Sequence, residues 1–271
     1  MWILDGGGLA CAAYTDPMAT VAPTVVRLTR GYVRVAGPDA PDFLERMLSN
    51  EVQSLDTGSA QQALLLTPKG RIVAPLRVVR ESDEAFLLIT EAELAEPVAG
   101  TLMRARFAAR CEISTDQLHG YLHLADPGRG VRVDDYRIDA WETWEDGELE
   151  AAGADELEPL RIEAGTPAWG RELDGTVLPA EAGLDETHIS FTKGCYPGQE
   201  PVARLHFRGH PNRSLRRLQV ADAKPGDEIV FEGKVVGRVT SAVPGNALGY
   251  VRREVPEDVV LRIGAAEARL H

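Results

Sequence analysis

Cysteine is scarce in this 271-residue chain, and its scarcity removes two classes of protein at once. Cys11, Cys111 and Cys195 are an odd number in unrelated contexts, which builds neither a disulfide framework nor a zinc site. Long apolar runs are missing too, so no membrane helix is expected. The first twenty residues hold no lysine or arginine, whereas a secretory signal needs a basic start. Residues 1–22 therefore read as a loose extension, and a cytoplasmic location is expected. Gly6-Gly7-Gly8 lacks the Lys-Ser/Thr that a phosphate loop requires. Basic residues are outnumbered, 29 against 42 acids, for a net charge of −13. That balance argues against whole-surface binding to nucleic acid or to an anionic membrane.

What is present is ordinary for a folded chain, with 44% hydrophobic and 26% charged residues. The charge is unevenly spread. Residues 134–163 carry a net −10, and residues 193–217 a net +5 that includes Arg204, Arg208, Arg213, Arg216 and Arg217. The basic stretch begins at an octapeptide, Lys193-Gly194-Cys195-Tyr196-Pro197-Gly198-Gln199-Glu200. Its two glycines let another segment or a ligand come close, and Pro197-Gly198 signals a turn. A short helix from Gln199 to Leu205 follows, with Pro201 tolerated in its first turn. Cys195 would then lie just before a helix N-terminus, with Lys193 two residues back. Both features favour thiolate over thiol. Cys111 lacks such surroundings and reads as structural.

Periodicity outlines the rest. Strands are expected at Thr24 to Arg30, Tyr32 to Val35, Ala63 to Thr67, Ile72 to Arg80 and Phe86 to Ile89. Helices are expected from Pro41 to about Asn50 and from Pro97 to Ala109, the latter with Leu102, Met103, Arg106 and Phe107 at helical spacing. Pro75 marks its strand as an edge or a bulge beside a cleft. Further strands are expected at Cys111 to Ser114, Tyr121 to Leu124 and Arg137 to Trp144. A helix from Leu157 to Ala164 is closed by Gly165. Some thirty irregular residues then lead to the cysteine turn, a length of loop that usually lines a site. Beyond Asn212, short strands at regular turns (215–220, 228–231, 235–242, 247–251 and 259–263) suggest a small antiparallel barrel. The class is α+β with a β tail.

Three segments carry a family resemblance: Arg161-Ile-Glu-Ala-Gly165, Leu178-Pro-Ala-Glu-Ala-Gly-Leu184, and Phe191 through Arg204 with Arg208-Gly209. They resemble the YgfZ-type folate-binding proteins, relatives of the glycine cleavage T-protein, an aminomethyltransferase. The resemblance runs from about Val25 to the C-terminus, and the octapeptide is its specific part. It implies a T-protein-like fold in which residues 23–212 form two subdomains around a channel for tetrahydrofolate or another reduced folate, and residues 213–271 form the barrel. It also implies a role in assembling or repairing iron–sulfur clusters of client proteins, which would be transient partners.

By the same resemblance Cys195, with Lys193, is the reactive position. Gly194, Tyr196, Gly198, Gln199 and Glu200 complete its motif, and Arg204 closes the segment. Glu163 matches the carboxylate that T-proteins direct at the pterin, Arg161 precedes it, and Asn50 matches a channel residue. One departure bears on activity. T-proteins carry an aspartate after the Gly-x-Ile-x of the hairpin, where Gly70-Arg71-Ile72-Val73 here runs into Ala74-Pro75. Neither residue can take a proton, so aminomethyl transfer is disfavoured. A folate-dependent auxiliary factor is thus the leading expectation. A one-carbon transferase and a tRNA-modification accessory drawing on Arg204 to Arg217 are the alternatives.

Overall fold

The computed structural model describes residues 25–271, so the expected N-terminal extension lies outside the described residues. Two strands open the described residues, β1 (Val25–Leu28) and β2 (Arg30–Ala36), and the break falls at Thr29 rather than at Gly31. Helix α1 (Ala40–Met47) accepts Pro41 in its first turn, with Asp42 near its positive end and Arg46 near its negative end. Next come β3 (Ala60–Leu66), β4 (Ile72–Ser82), β5 (Ala85–Glu91), α2 (Ala95–Ala105) and β6 (Glu112–Asp116). These strands form one antiparallel sheet in the order β3-β4-β5-β2-β6.

Alternation gives each face of that sheet its own core. Val33 and Val35, with Leu65, Val78 and Leu88, meet Phe43 and Leu44 of α1 and Val98 and Leu102 of α2. Tyr32, Val79, Leu87 and Ile89 point the other way, onto a second sheet. That sheet is antiparallel, β1-β7-β9-β8, formed with β7 (His119–His123), β8 (Val131–Val133) and β9 (Ala140–Glu145). One expectation fails here, and one strand goes unforeseen. Helix α2 stops at Ala105, and Phe107, with φ of 44°, is 90% exposed instead of joining the apolar face. Strand β8 has only three residues, too few for alternation to show.

Helix α3 (Glu158–Ala164) ends as its glycine suggests. Gly165 has φ of 81°, and its N–H donates to the carbonyls of Arg161 and Ile162. Residues 166–198 are irregular, apart from one short helical turn at Pro179–Glu181. They supply Leu173, Val177, Leu184, Ile189 and Tyr196 to a third core, against Leu64, Leu66 and Ile72 of the β3–β4 hairpin. Helix α4 (Gln199–Arg208) follows, longer than expected.

The C-terminal strands are β10 (Arg213–Val220), β11 (Glu228–Phe231), β12 (Lys234–Val243), β13 (Gly245–Arg252), β14 (Val260–Ile263) and β15 (Ala266–Leu270). They close into an antiparallel barrel, β10-β13-β12-β11-β14-β15, filled by residues such as Leu218, Val239, Val251 and Leu261. The closing strand β15 was not expected, since its one fully buried side chain is Ala268. Among the described residues, no helix is long and apolar enough to cross a membrane.

Pro75 meets its expectation. Within β4 it pairs with Leu64 of β3 on one side only, because pairing with β5 starts at Arg77. A residue without an N–H fits such an unpaired flank. Its carbonyl accepts a 2.8 Å hydrogen bond from the Thr90 hydroxyl.

Candidate functional site

A cavity of about 400 Å³ opens beside Pro75, where the two sheets, the end of α3 and the long loop converge. Pro75, Leu76 and Arg77 come from β4, Thr90 and Glu91 from β5, and Arg30 from β2. The β8–β9 connection adds Asp134 to Arg137, and the loop adds Thr187 and His188.

The wall holds a charge cluster in which each member needs the others. Arg77 pairs with Glu142 of β9 and donates to Asp135 Oδ2 at 2.7 Å. Arg30 Nε donates to Glu142 Oε1 at 3.0 Å, and Gln62 Nε2 donates to Asp135 Oδ1 at 3.0 Å. Burial lowers the pKa of the two guanidiniums, but the facing carboxylates outweigh it and hold both above their usual range. Burial likewise pushes Asp135 up, yet Arg77 and Arg30 bring it below the ordinary aspartate value. Glu91 differs. Burial raises it and Arg30 only partly compensates, over a long 3.4 Å hydrogen bond. His188 is pushed down to about 4, first by burial and then by Arg77, against the pull of Asp135. Its backbone is fixed by the Ser49 hydroxyl, which donates to the His188 carbonyl at 2.6 Å.

The octapeptide forms a different face of the molecule. Cys195 is exposed, three residues ahead of the αL residue Gly198 that starts α4, and it does not line the cavity. Gly198, with φ of 86°, is glycine for a packing reason. A Cβ there would stand 2.5 Å from the Thr67 carbonyl at the tip of the β3–β4 hairpin. Nothing comes within 4 Å of the corresponding point on Gly194. The close approach that the two glycines suggested thus occurs at Gly198 alone, and the approaching segment is the hairpin. Tyr196 is buried in the third core, its hydroxyl without a protein partner, and burial raises it to about 12.

The expected role of Lys193 beside the thiol needs correction. Its side chain is 1% exposed, and its ammonium pairs with Glu45 at 3.1 Å and donates to the carbonyls of Leu48 at 3.0 Å and Asn50 at 2.5 Å. Burial lowers its pKa, and Glu45 opposes that. A cation so committed anchors the turn to the end of α1 and is not free to act as counter-ion to Cys195. Glu163 also departs from expectation: it is exposed and does not line the cavity, although Arg161, Ala164 and Gly165 do. With 3.6 residues per turn it falls on another face of α3, and Arg217 holds its carbonyl at 2.6 Å.

Arg161 is the one expected ligand residue in the cavity wall, but its guanidinium is engaged with Glu158, Glu172, the Thr166 carbonyl and Ser241. Asn50 lies at a border. It lines a neighbouring cavity of about 720 Å³, and its amide donates to the carbonyls of Gln62 at 2.8 Å and Thr187 at 3.2 Å, both of them in the main wall. Gln199 is half-buried, and Glu200 and Arg204 are exposed on α4. Beyond α4 the basic stretch is used internally: Arg213 pairs with Glu181, Arg216 with Glu257, and Arg217 with the Glu163 carbonyl.

Motif reading missed Arg30, Arg77, Glu91, Asp135, Glu142 and His188. A signal existed for two of them, because a lone charge inside an apolar strand, such as Arg77 after Leu76 or Glu142 after Trp141, marks a buried pair.

Comparison with known proteins agrees with this architecture. Residues 28–125 match the family model described as the GCVT N-terminal domain. An uncharacterized protein of Haemophilus influenzae is 28% identical over 229 residues, 78% of this chain and 81% of that protein. An aminomethyltransferase of Lysinibacillus sphaericus is 25% identical over 279 residues, 83% of this chain and 74% of that enzyme. The crystal structure of the glycine cleavage system aminomethyltransferase T from Bartonella henselae superposes with a TM-score of 0.79 at 20% identity, covering 92% of this chain and 85% of that one. Residues 28–125 are thus similar to the GCVT N-terminal domain, and the chain has an aminomethyltransferase-type α+β fold that ends in a closed β-barrel.

Proposed function

We propose that the cavity takes a reduced folate and that the protein serves in the cytoplasm as an auxiliary factor in assembling or repairing iron–sulfur clusters, in the manner of the YgfZ-type proteins. The observation that carries this reading is the hairpin wall. Ala74 and Pro75 give it no proton acceptor where T-proteins place an aspartate, while a thiol stands exposed on the turn before α4. A cavity of this size falls in the range of small-molecule sites. Glu91 suits a pterin, since it is half-buried in the wall, bonded only weakly to Arg30, and free to accept the paired N–H donors of the pterin edge. In this reading residues 23–212 hold the folate and residues 213–271 form the barrel unit. Cys195 meets client proteins, and one thiol does not hold a cluster alone.

Binding is tested by titrating the protein with a reduced folate and following tryptophan fluorescence, with Trp169 adjoining the wall residue Ala168. Saturable quenching is expected. Glu91→Gln should weaken affinity roughly tenfold, the scale of one charge-assisted hydrogen bond, and Glu163→Gln should leave it nearly unchanged. The reverse ranking would reject the assignment to Glu91. The client role rests on Cys195→Ser, which should fail to restore cluster-enzyme activity in a deletion strain. Restoration equal to wild type would remove the thiol from the proposal.

A one-carbon transferase is the second reading, favoured by Asp135, Glu91 and His188 in the wall and by the similarity to an aminomethyltransferase. Robust formation of methylene-tetrahydrofolate from an aminomethyl donor would put this reading first.

A further inference from the structure

We infer that Gln62, Asn50 and Lys193 form a positioning relay that couples the cavity wall, and hence its occupancy, to the turn bearing Cys195. The relay is an unbroken series of contacts. Gln62 lines the cavity, and its side-chain amide donates to Asp135 Oδ1 at 3.0 Å. The Gln62 backbone carbonyl accepts from Asn50 Nδ2 at 2.8 Å, and the Asn50 carbonyl accepts from Lys193 Nζ at 2.5 Å. Lys193 is two residues from Cys195. A second strap starts at Thr187, also in the wall, whose carbonyl accepts from the same Asn50 amide at 3.2 Å.

Two features make the far end responsive. Ser49 stitches the segment after α1 to β3 and to the long loop: its hydroxyl receives the Leu64 N–H at 2.8 Å, and its carbonyl receives the Ser190 N–H at 2.9 Å. Wall and anchor are thus tied together through Ser49. Past Lys193, Gly194 and Cys195 are exposed and nothing lies near the missing Cβ of Gly194, so between the buried anchors Lys193 and Tyr196 these two residues have little packing of their own. Asn50 is placed to transmit a shift because one side chain and one carbonyl join three segments.

The folate arm of the test rests on the proposed function, whereas the other arm does not. In the ligand-free protein, the rate of Cys195 alkylation by iodoacetamide is read by peptide mass spectrometry, with buried Cys111 as internal control. Gln62→Met, Asn50→Ala and the double variant form a cycle. Non-additive effects on Cys195, with Cys111 unmoved, are expected. Should Asn50→Ala fail to fold, Lys193→Gln takes its place. Saturating folinic acid should then change the wild-type rate by about threefold or more, the scale of couplings between linked sites, and the change should be lost in the relay variants. Additive effects, or a thiol indifferent to saturating folinic acid, overturn the relay. If the wild type binds no folinic acid, the folate reading fails while the ligand-free cycle still decides the relay.

Discussion

His188, held neutral inside a charged wall, makes stability depend on acid. Its folded-state value is about 4, against about 6.5 for a histidine in an unfolded chain. Between those values the unfolded chain binds a proton that the folded one refuses, so stability rises with pH. The contribution is present above about pH 6.5 and drains away as the pH falls towards 4. His188→Gln should flatten that slope. Urea midpoints at pH 7 and pH 5 measure it, and equal losses in wild type and variant would reject the assignment.

The same scale shows what the chain discloses of its site. Cys195 and its glycines are legible because a turn is a local matter. The cavity charges are not, because Arg30, Arg77, Glu91, Asp135 and His188 come from separate segments and meet only after both sheets have packed. Lys193 is instructive in a different way. Its proximity to Cys195 in sequence suggested a partner for the thiol, whereas its buried ammonium is taken up by the carbonyls of Leu48 and Asn50 just past α1.

At the scale of elements, the motif glycines separate by packing. Gly198→Ala would force a Cβ against the Thr67 carbonyl in a left-handed conformation, and a loss of about 2 kcal/mol or more is expected. Gly194→Ala meets nothing and should stay within about 0.5 kcal/mol. Denaturant unfolding of the two variants compares them, and similar losses would show that the hairpin contact is not what holds Gly198. Long alternating elements such as β4 and β12 were readable for the reason that β8 was not: three residues carry no period. Helix α2 was overextended because Met103 and Phe107 keep helical spacing while facing solvent.

For the whole molecule, the seam between barrel and body is polar and buried. Glu172 accepts from Arg161 at 2.9 Å and from Ser241 of β12 at 2.7 Å, and its carbonyl receives the Tyr250 hydroxyl of β13 at 2.9 Å. Removing one partner of such a pair strands the other charge. Glu172→Ala should therefore cost about 3 kcal/mol or more and loosen the barrel from the long loop. Differential scanning calorimetry with limited proteolysis of residues 166–198 reads this, and an unaltered melt with an uncut loop would contradict it. The α+β class and the barrel were legible from the order of elements, whereas the seam was not, since Glu172 sits in a stretch without period.

Pro75 shapes the cavity wall through what it lacks. A strand zips to its neighbour through N–H groups, and an imino residue supplies none. The backbone ladder between β4 and β5 therefore stops at Arg77, and beyond it Thr90 reaches β4 only through its hydroxyl, which donates to the Pro75 carbonyl. This break in the ladder is written into covalent structure, so no cooling or tightening of the fold can zip it shut.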